Sequence, residues 1–211
     1  MEFDFGLTAL GEQFHMDWRY SGDTPQDVVR SWARTAGGDE GSPEEIRLLR
    51  EDIQLLLASS LSDEELHALW RVAAAYYPDF PADGVEPPRG RAWLQDVDRE
   101  IRPFLREPVD AAPAPRDASA SAQSAVCALA ERLTPQRELP LEPLPARAVI
   151  AALQRCATEV GAALAFRFLL RAYAAYESPV TADSWRTFEE LNRHFGYGKF
   201  LLLTIDYLKE D

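Results

Sequence analysis

Three helix starts constrain this chain more than any other feature. Thr24-Pro25-Gln26-Asp27, Ser42-Pro43-Glu44-Glu45 and Ser62-Asp63-Glu64-Glu65 each begin with a hydroxyl residue, place a proline or an acid next, and carry an acid three positions on. That chemistry satisfies amide donors which the first helical turn leaves without an internal partner, and Ser42/Glu45 has the spacing of a capping box. Apolar residues at helical spacing follow each start. They are Val28, Val29, Trp32 and Ala36, then Ile46, Leu49, Ile53 and Leu56, then Leu66, Leu69, Trp70, Ala73 and Tyr77. A fourth stripe from about Arg89 takes in Trp93, Leu94, Val97 and Ile101, and should end at Pro103, which has no amide proton to donate. Between the third and fourth helices, Pro78 to Pro88 reads as a turn-rich loop. Nothing alternates with period two. The pattern predicts an all-α chain.

Residues 107–125 change character to Pro, Ala and Ser, a composition that reads as a linker. The expected organisation is two small helical bundles, residues 1–106 and 126–211, joined by that linker. In the second, a short helix is predicted over Val126–Leu133 and a long central one over Ala146–Tyr176, apolar around most of its circumference. Gly161 marks a break or a close crossing in it. Arg155, Glu159, Arg167 and Arg171 form its one charged stripe, with Arg167 and Arg171 either a second candidate contact for a partner or packed against a neighbouring acidic helix. Ala182–Phe195 predicts a helix burying Trp185, Phe188 and Leu191, and Lys199–Leu208 a terminal helix.

Charge narrows the partners. The net charge is −13, and residues 1–107 hold 22 of the 35 carboxylates against 11 arginines. Such a surface repels nucleic acid and anionic membrane and attracts basic partners at long range. No run is apolar for long enough to cross a bilayer, and Met1-Glu2-Phe3-Asp4 is unlike a signal peptide, so the expected location is the cytoplasm. Cys127 and Cys156 lack the spacing of a zinc site and are expected to be free thiols.

Candidates for catalysis are few. Phe14-His15-Met16-Asp17-Trp18 packs a histidine, a carboxylate and two aromatics into five positions. His15 and Asp17 could be a metal-binding or hydrolytic pair, or belong to an aromatic clamp in which Phe14 and Trp18, four apart, share a face. The other histidines, His67 and His194, are expected on a polar helix face and in a last helical turn. Asp63, Glu64 and Glu65, and Asp96, Asp98 and Glu100, read as helix starts or solvated faces. No phosphate-cradling glycine loop or nucleophile elbow occurs. No catalytic residue, metal ligand or cofactor-binding residue is assigned.

One ordered set of residues carries a resemblance. It runs Phe14-His15-Met16-Asp17-Trp18, Gly22-Asp23-Thr24 before a helix, the Leu-rich helix at 46–57, Leu61-Ser62-Asp63-Glu64-Glu65-Leu66, Tyr76-Tyr77-Pro78, and Trp93-Leu94 before Val97 and Ile101. Over residues 5–106 this resembles the immunity proteins of contact-dependent growth inhibition systems, with Met16 where that family usually has Gln. The resemblance implies a non-enzymatic protein without cofactor that binds and blocks a cognate toxin domain, nucleases being common among such toxins. Phe14, His15, Asp17, Trp18 and Trp93 would be the structural motif, so His15→Ala is expected to lose stability. The exposed carboxylates Glu44, Glu51, Asp63, Glu64 and Glu65 would contribute to the toxin-binding surface. A helical adaptor without a toxin partner remains the alternative.

Overall fold

The computed structural model describes residues 3–37, 42–74, 88–105 and 119–210. Tyr76-Tyr77-Pro78, the loop expected up to residue 87, and residues 107–118 of the expected linker lie outside the described residues. The all-α expectation holds. Among the described residues the regular structure is helical, apart from one bridge between Val180 and Lys209. No described helix is long and apolar enough to cross a membrane. The chain divides into two compact units, Phe5–Ala114, and Pro115–Asp211 together with Met1–Asp4.

The first unit contains α1 (Gly6–Glu12), α2 (Pro25–Gly37), α3 (Pro43–Ala58), α4 (Asp63–Ala73) and α5 (Gly90–Ile101). Helix α5 packs against α2, α3 and α4, while α1 lies on α3 and α4. Val29, Ile46, Leu49, Ile53, Leu69, Trp93, Val97 and Ile101 fill the space between them. Each belongs to a stripe with helical spacing, and burial of those stripes drives the association.

The helix ends decide where the chain turns. The Thr24 amide donates to Asp27 Oδ2 at 2.9 Å, and the Asp27 amide returns a bond to Thr24 Oγ1 at 3.2 Å. Ser62 and Glu65 form the same reciprocal pair at 3.2 and 2.8 Å. Ser42 does not: its side chain makes no cap bond. The expected Ser42/Glu45 capping box is therefore absent, and α3 begins on Pro43, with Glu44 and Glu45 favourably placed at the positive end of the helix dipole. At the other end of α3, Arg91 donates from Nη1 to the Leu57 carbonyl at 2.6 Å and from Nη2 to the Leu61 carbonyl at 3.0 Å. One guanidinium thus closes the α3–α4 connection.

Two buried carboxylates stitch this unit together. Asp52, only 4% exposed, accepts the Leu7 amide at 2.9 Å and caps α1 from α3. Asp98, expected on a solvated face, is buried instead. It accepts Arg102 Nε at 3.0 Å and Gln54 Nε2 at 3.0 Å, with Arg50 Nε at 3.5 Å. Burial of a charge is tolerable because opposite charges and donors surround it. His67 also departs from expectation, since it is buried on α4 rather than solvated. Close approach has its own requirement at Gly11. A Cβ there would stand 2.6 Å from the Ala73 carbonyl oxygen, so α1 and α4 can meet only without a side chain. At Gly90 the backbone is left-handed (φ +52°), and a Cβ would come within 2.5 Å of the Asp63 carbonyl oxygen.

The second unit contains α6 (Ala120–Glu131), α7 (Ala146–Arg155), α8 (Ala162–Ala175), α9 (Ala182–His194) and the short α10 (Leu203–Asp206). Helix α6 starts inside the stretch read as linker. Ser119 caps it by accepting the Ala122 amide at 3.3 Å, and Ala122 and Val126 are buried. The long central helix expected over 146–176 is two helices. A π turn at Cys156–Val160 and Gly161, at φ +150°, separate them. Helix α8 is buried along nearly its whole length, as an all-round apolar segment must be. Arg167 and Arg171 are buried with it, and Arg171 pairs with Asp4 of the same unit. They are thereby removed as a partner contact. The expected terminal helix shrinks to α10, and Trp185 is only half-buried. Tyr173 donates to the Leu129 carbonyl at 2.9 Å, and burial pushes its hydroxyl pKa up to about 12. Cys127 is half-buried and Cys156 buried, both as free thiols.

Two substitutions test these constraints. Gly11→Ala should destabilise the first unit by about 1–3 kcal/mol in urea unfolding, the usual cost of an overpacked contact. Thr24→Ala should cost about 1 kcal/mol. It should also reduce the acid sensitivity of stability. The Thr24 hydroxyl is the largest influence holding the Asp27 carboxyl below its ordinary value. That carboxylate stabilises the fold above the unfolded carboxylate range, and the contribution disappears as pH falls through the lower folded value.

Candidate interaction surface

The site begins with a short connection that has little room to vary. Between α1 and α2 the chain makes two successive tight turns. The Trp18 amide donates to the His15 carbonyl and the Tyr20 amide to the Asp17 carbonyl, each at 3.0 Å. Residues Trp18–Ser21 are a turn of 3₁₀-helix. Phe14 and Trp18 point inward from this connection and are each 1% exposed.

They close an aromatic cage with Trp70 of α4 and Trp93 of α5. Phe14 meets Trp70 edge-on at 5.4 Å between ring centroids and Trp93 edge-on at 6.0 Å. Trp18 lies 5.6 Å from Phe14, and Trp70 lies 5.5 Å from Trp93. These separations and tilts are the ones aromatic quadrupoles favour. Arg19 lays its guanidinium 5.3 Å from the centre of the Trp18 ring, covering the cage from outside. The pair four residues apart, read from the sequence as sharing a face, does so.

His15 and Asp17 take the opposite direction. Both are exposed, and the Asp17 amide donates to His15 Nδ1 at 3.1 Å. One imidazole nitrogen is therefore occupied by the backbone of the turn. Among the described residues no group of three or more His, Cys, Asp or Glu side chains could hold a metal ion. The His-x-Asp spacing is accounted for by a local turn bond.

The five carboxylates expected at a partner surface do not form one patch. Glu44 and Glu51 are both held by Arg47. That guanidinium keeps the Glu44 carboxyl below its ordinary value. Asp63 accepts the Arg91 amide at 3.2 Å, and Glu65 belongs to the capping box. Glu64 is fully outward and exposed. Helix α3, about 24 Å long, separates Glu44 in its first turn from the trio beyond its last. Four of the five thus have structural partners within the unit.

Sequence periodicity overlooked the other side of the aromatic connection. Met16 is 69% exposed and Tyr20 is 92% exposed. A usable signal existed: once Phe14 and Trp18 claim the inward face, Met16 and Tyr20 fall outside it.

Comparison with known proteins finds a family likeness over the first unit. Residues 9–101 match the family model described as CdiI immunity protein. That span holds α2 to α5 and all four aromatics of the cage. Over those residues the helical unit is similar to the CdiI immunity proteins, which are toxin-neutralising immunity proteins. Such proteins act by binding toxins and not by catalysis. No curated protein and no solved structure gives a significant match to the chain.

The cage and the turn bond separate cleanly by mutation. Trp18→Ala should cost about 3–5 kcal/mol, the range for emptying a buried aromatic site. His15→Ala should cost less than about 1 kcal/mol, the net value of one exposed hydrogen bond. The loss of stability expected at His15 from sequence is thereby given a small size, because the side chain is solvated. Urea unfolding of the two variants measures both.

Proposed function

We propose that this protein neutralises its toxin by one-to-one occlusion in the cytoplasm of the cell that makes it, and that the toxin domain presents a basic, nuclease-like surface. The single observation that carries this is the immunity-family match over residues 9–101 on a chain of net charge −13. A nuclease active site must attract phosphates, and an acidic inhibitor is drawn to the same positive field. The carboxylates engaged by Arg47 and Arg91 still add to that long-range field, and Glu64 is the one of the five best placed to contribute a direct contact.

The test is co-expression with the cognate toxin domain, sought among the reading frames adjoining this gene, followed by sizing chromatography of the purified pair. Growth rescue and a stoichiometric complex are expected. Death of the co-expressing cells, with no complex, would rule the proposal out. For the basic partner, the association rate should fall steeply as ionic strength rises from about 10 mM to 0.15 M, because the Debye length shrinks from about 30 to 8 Å. A rate indifferent to salt contradicts a basic toxin surface.

A further inference from the structure

We infer that the turn over residues 15–23 is the docking prong for the toxin, with Met16 and Tyr20 entering an apolar recess and Asp17 and Asp23 meeting a basic rim around it. This rests on the immunity reading and names the surface through which it would operate.

The argument starts from what is left outside. Among the described residues of the first unit, Met16 and Tyr20 are the large apolar or aromatic side chains that remain exposed. They stand four positions apart in one short turn. A solitary exposed hydrophobe needs no explanation, but two in a single turn are a local concentration. Methionine and tyrosine are also residue types enriched in the buried centres of protein interfaces.

Rigidity is the second point. Phe14 and Trp18 alternate with the exposed residues; Phe14 is held by Trp70 and Trp93, and Trp18 packs on Phe14. Two backbone turn bonds and the Asp17 amide to His15 Nδ1 bond fix the outward segment. At the far end, a Cβ on Gly22 would lie 2.4 Å from the Asp27 Cβ, so the turn returns tightly onto the start of α2. A prong held in this way loses little conformational entropy when it is buried by a partner, which is how preorganisation raises affinity. The cage therefore does more than complete the core, because it fixes the geometry of what is presented.

Charge selects the occupant. Asp17 and Asp23 are both exposed on either side of Tyr20 in the chain, and Arg19 is folded back over the Trp18 ring. Carboxylates bordering an apolar tip match a recess bordered by lysine or arginine, and the surrounding unit is strongly acidic. A second copy of the same acidic chain would be repelled, so the occupant is a basic protein surface.

The experiment uses the full chain and the toxin domain identified by the co-expression test above. Met16→Ser with Tyr20→Ser should weaken binding at least about thirtyfold, mostly through faster dissociation. The thermal midpoint should stay within about 2 °C of the parent, since neither side chain is buried. Asp17→Lys with Asp23→Lys should slow association about tenfold at low salt. Binding by the Met16/Tyr20 variant within about threefold of the parent, on a parent that binds tightly, overturns the prong while leaving the immunity function intact. Association of the lysine variant at the parent rate overturns the basic rim. A parent protein that fails to bind overturns the immunity reading, and the prong with it.

Discussion

The first unit depends on four aromatic rings drawn from three places in the chain. Phe14 and Trp18 come from the α1–α2 connection, Trp70 from α4 and Trp93 from α5, and their centroids lie 5.4 to 6.0 Å apart. A connection of about a dozen residues would ordinarily be the most variable part of a helical bundle. Here two indispensable core side chains are located in it. The loop cannot move without opening the core, and the core cannot close without the loop.

Electrostatics works in two layers. Inside, Asp52 and Asp98 are buried only because each is met by donors: a helix N-terminal amide for one, two arginines and a glutamine for the other. These groups specify how α1, α3 and α5 register against one another, since leaving either unpaired would be costly. Outside, several acidic residues are engaged by neighbouring arginines in the same helix, as Glu44 and Glu51 are by Arg47. Surface pairs of that kind add little stability. The carboxylates outnumber the cations that pair with them, and the chain keeps a net charge of −13.

Much of the fold was legible because helices announce themselves by period and by end chemistry. Thr24 and Ser62 were read correctly as caps, and the stripe from Trp93 to Ile101 is the buried face of α5. Ser42 shows the limit, for its residues satisfy the same pattern while its side chain makes no cap bond. Asp98 and His67 were misread because their burial depends on helices that arrive from elsewhere in the chain. Arg171 was left between two readings for the same reason, its partner Asp4 being far away in sequence. The break at Cys156–Val160 was signalled only by Gly161. At the candidate site the inward half, Phe14 and Trp18, was visible from spacing four. The outward half was not, because exposure is what remains once every neighbour has been packed, and spacing alone does not supply that remainder.

We propose above all that a rigid turn, fixed by the cage, carries the contact by which the chain would block a toxin. Amide hydrogen exchange of the full chain, with and without the toxin domain, examines that claim without altering a residue. Amides over residues 15–23 should exchange markedly more slowly in the complex, while those of Val97 and Ile101 in the core of α5 stay unchanged. Protection confined to other surfaces, with residues 15–23 exchanging as in the free protein, would contradict it.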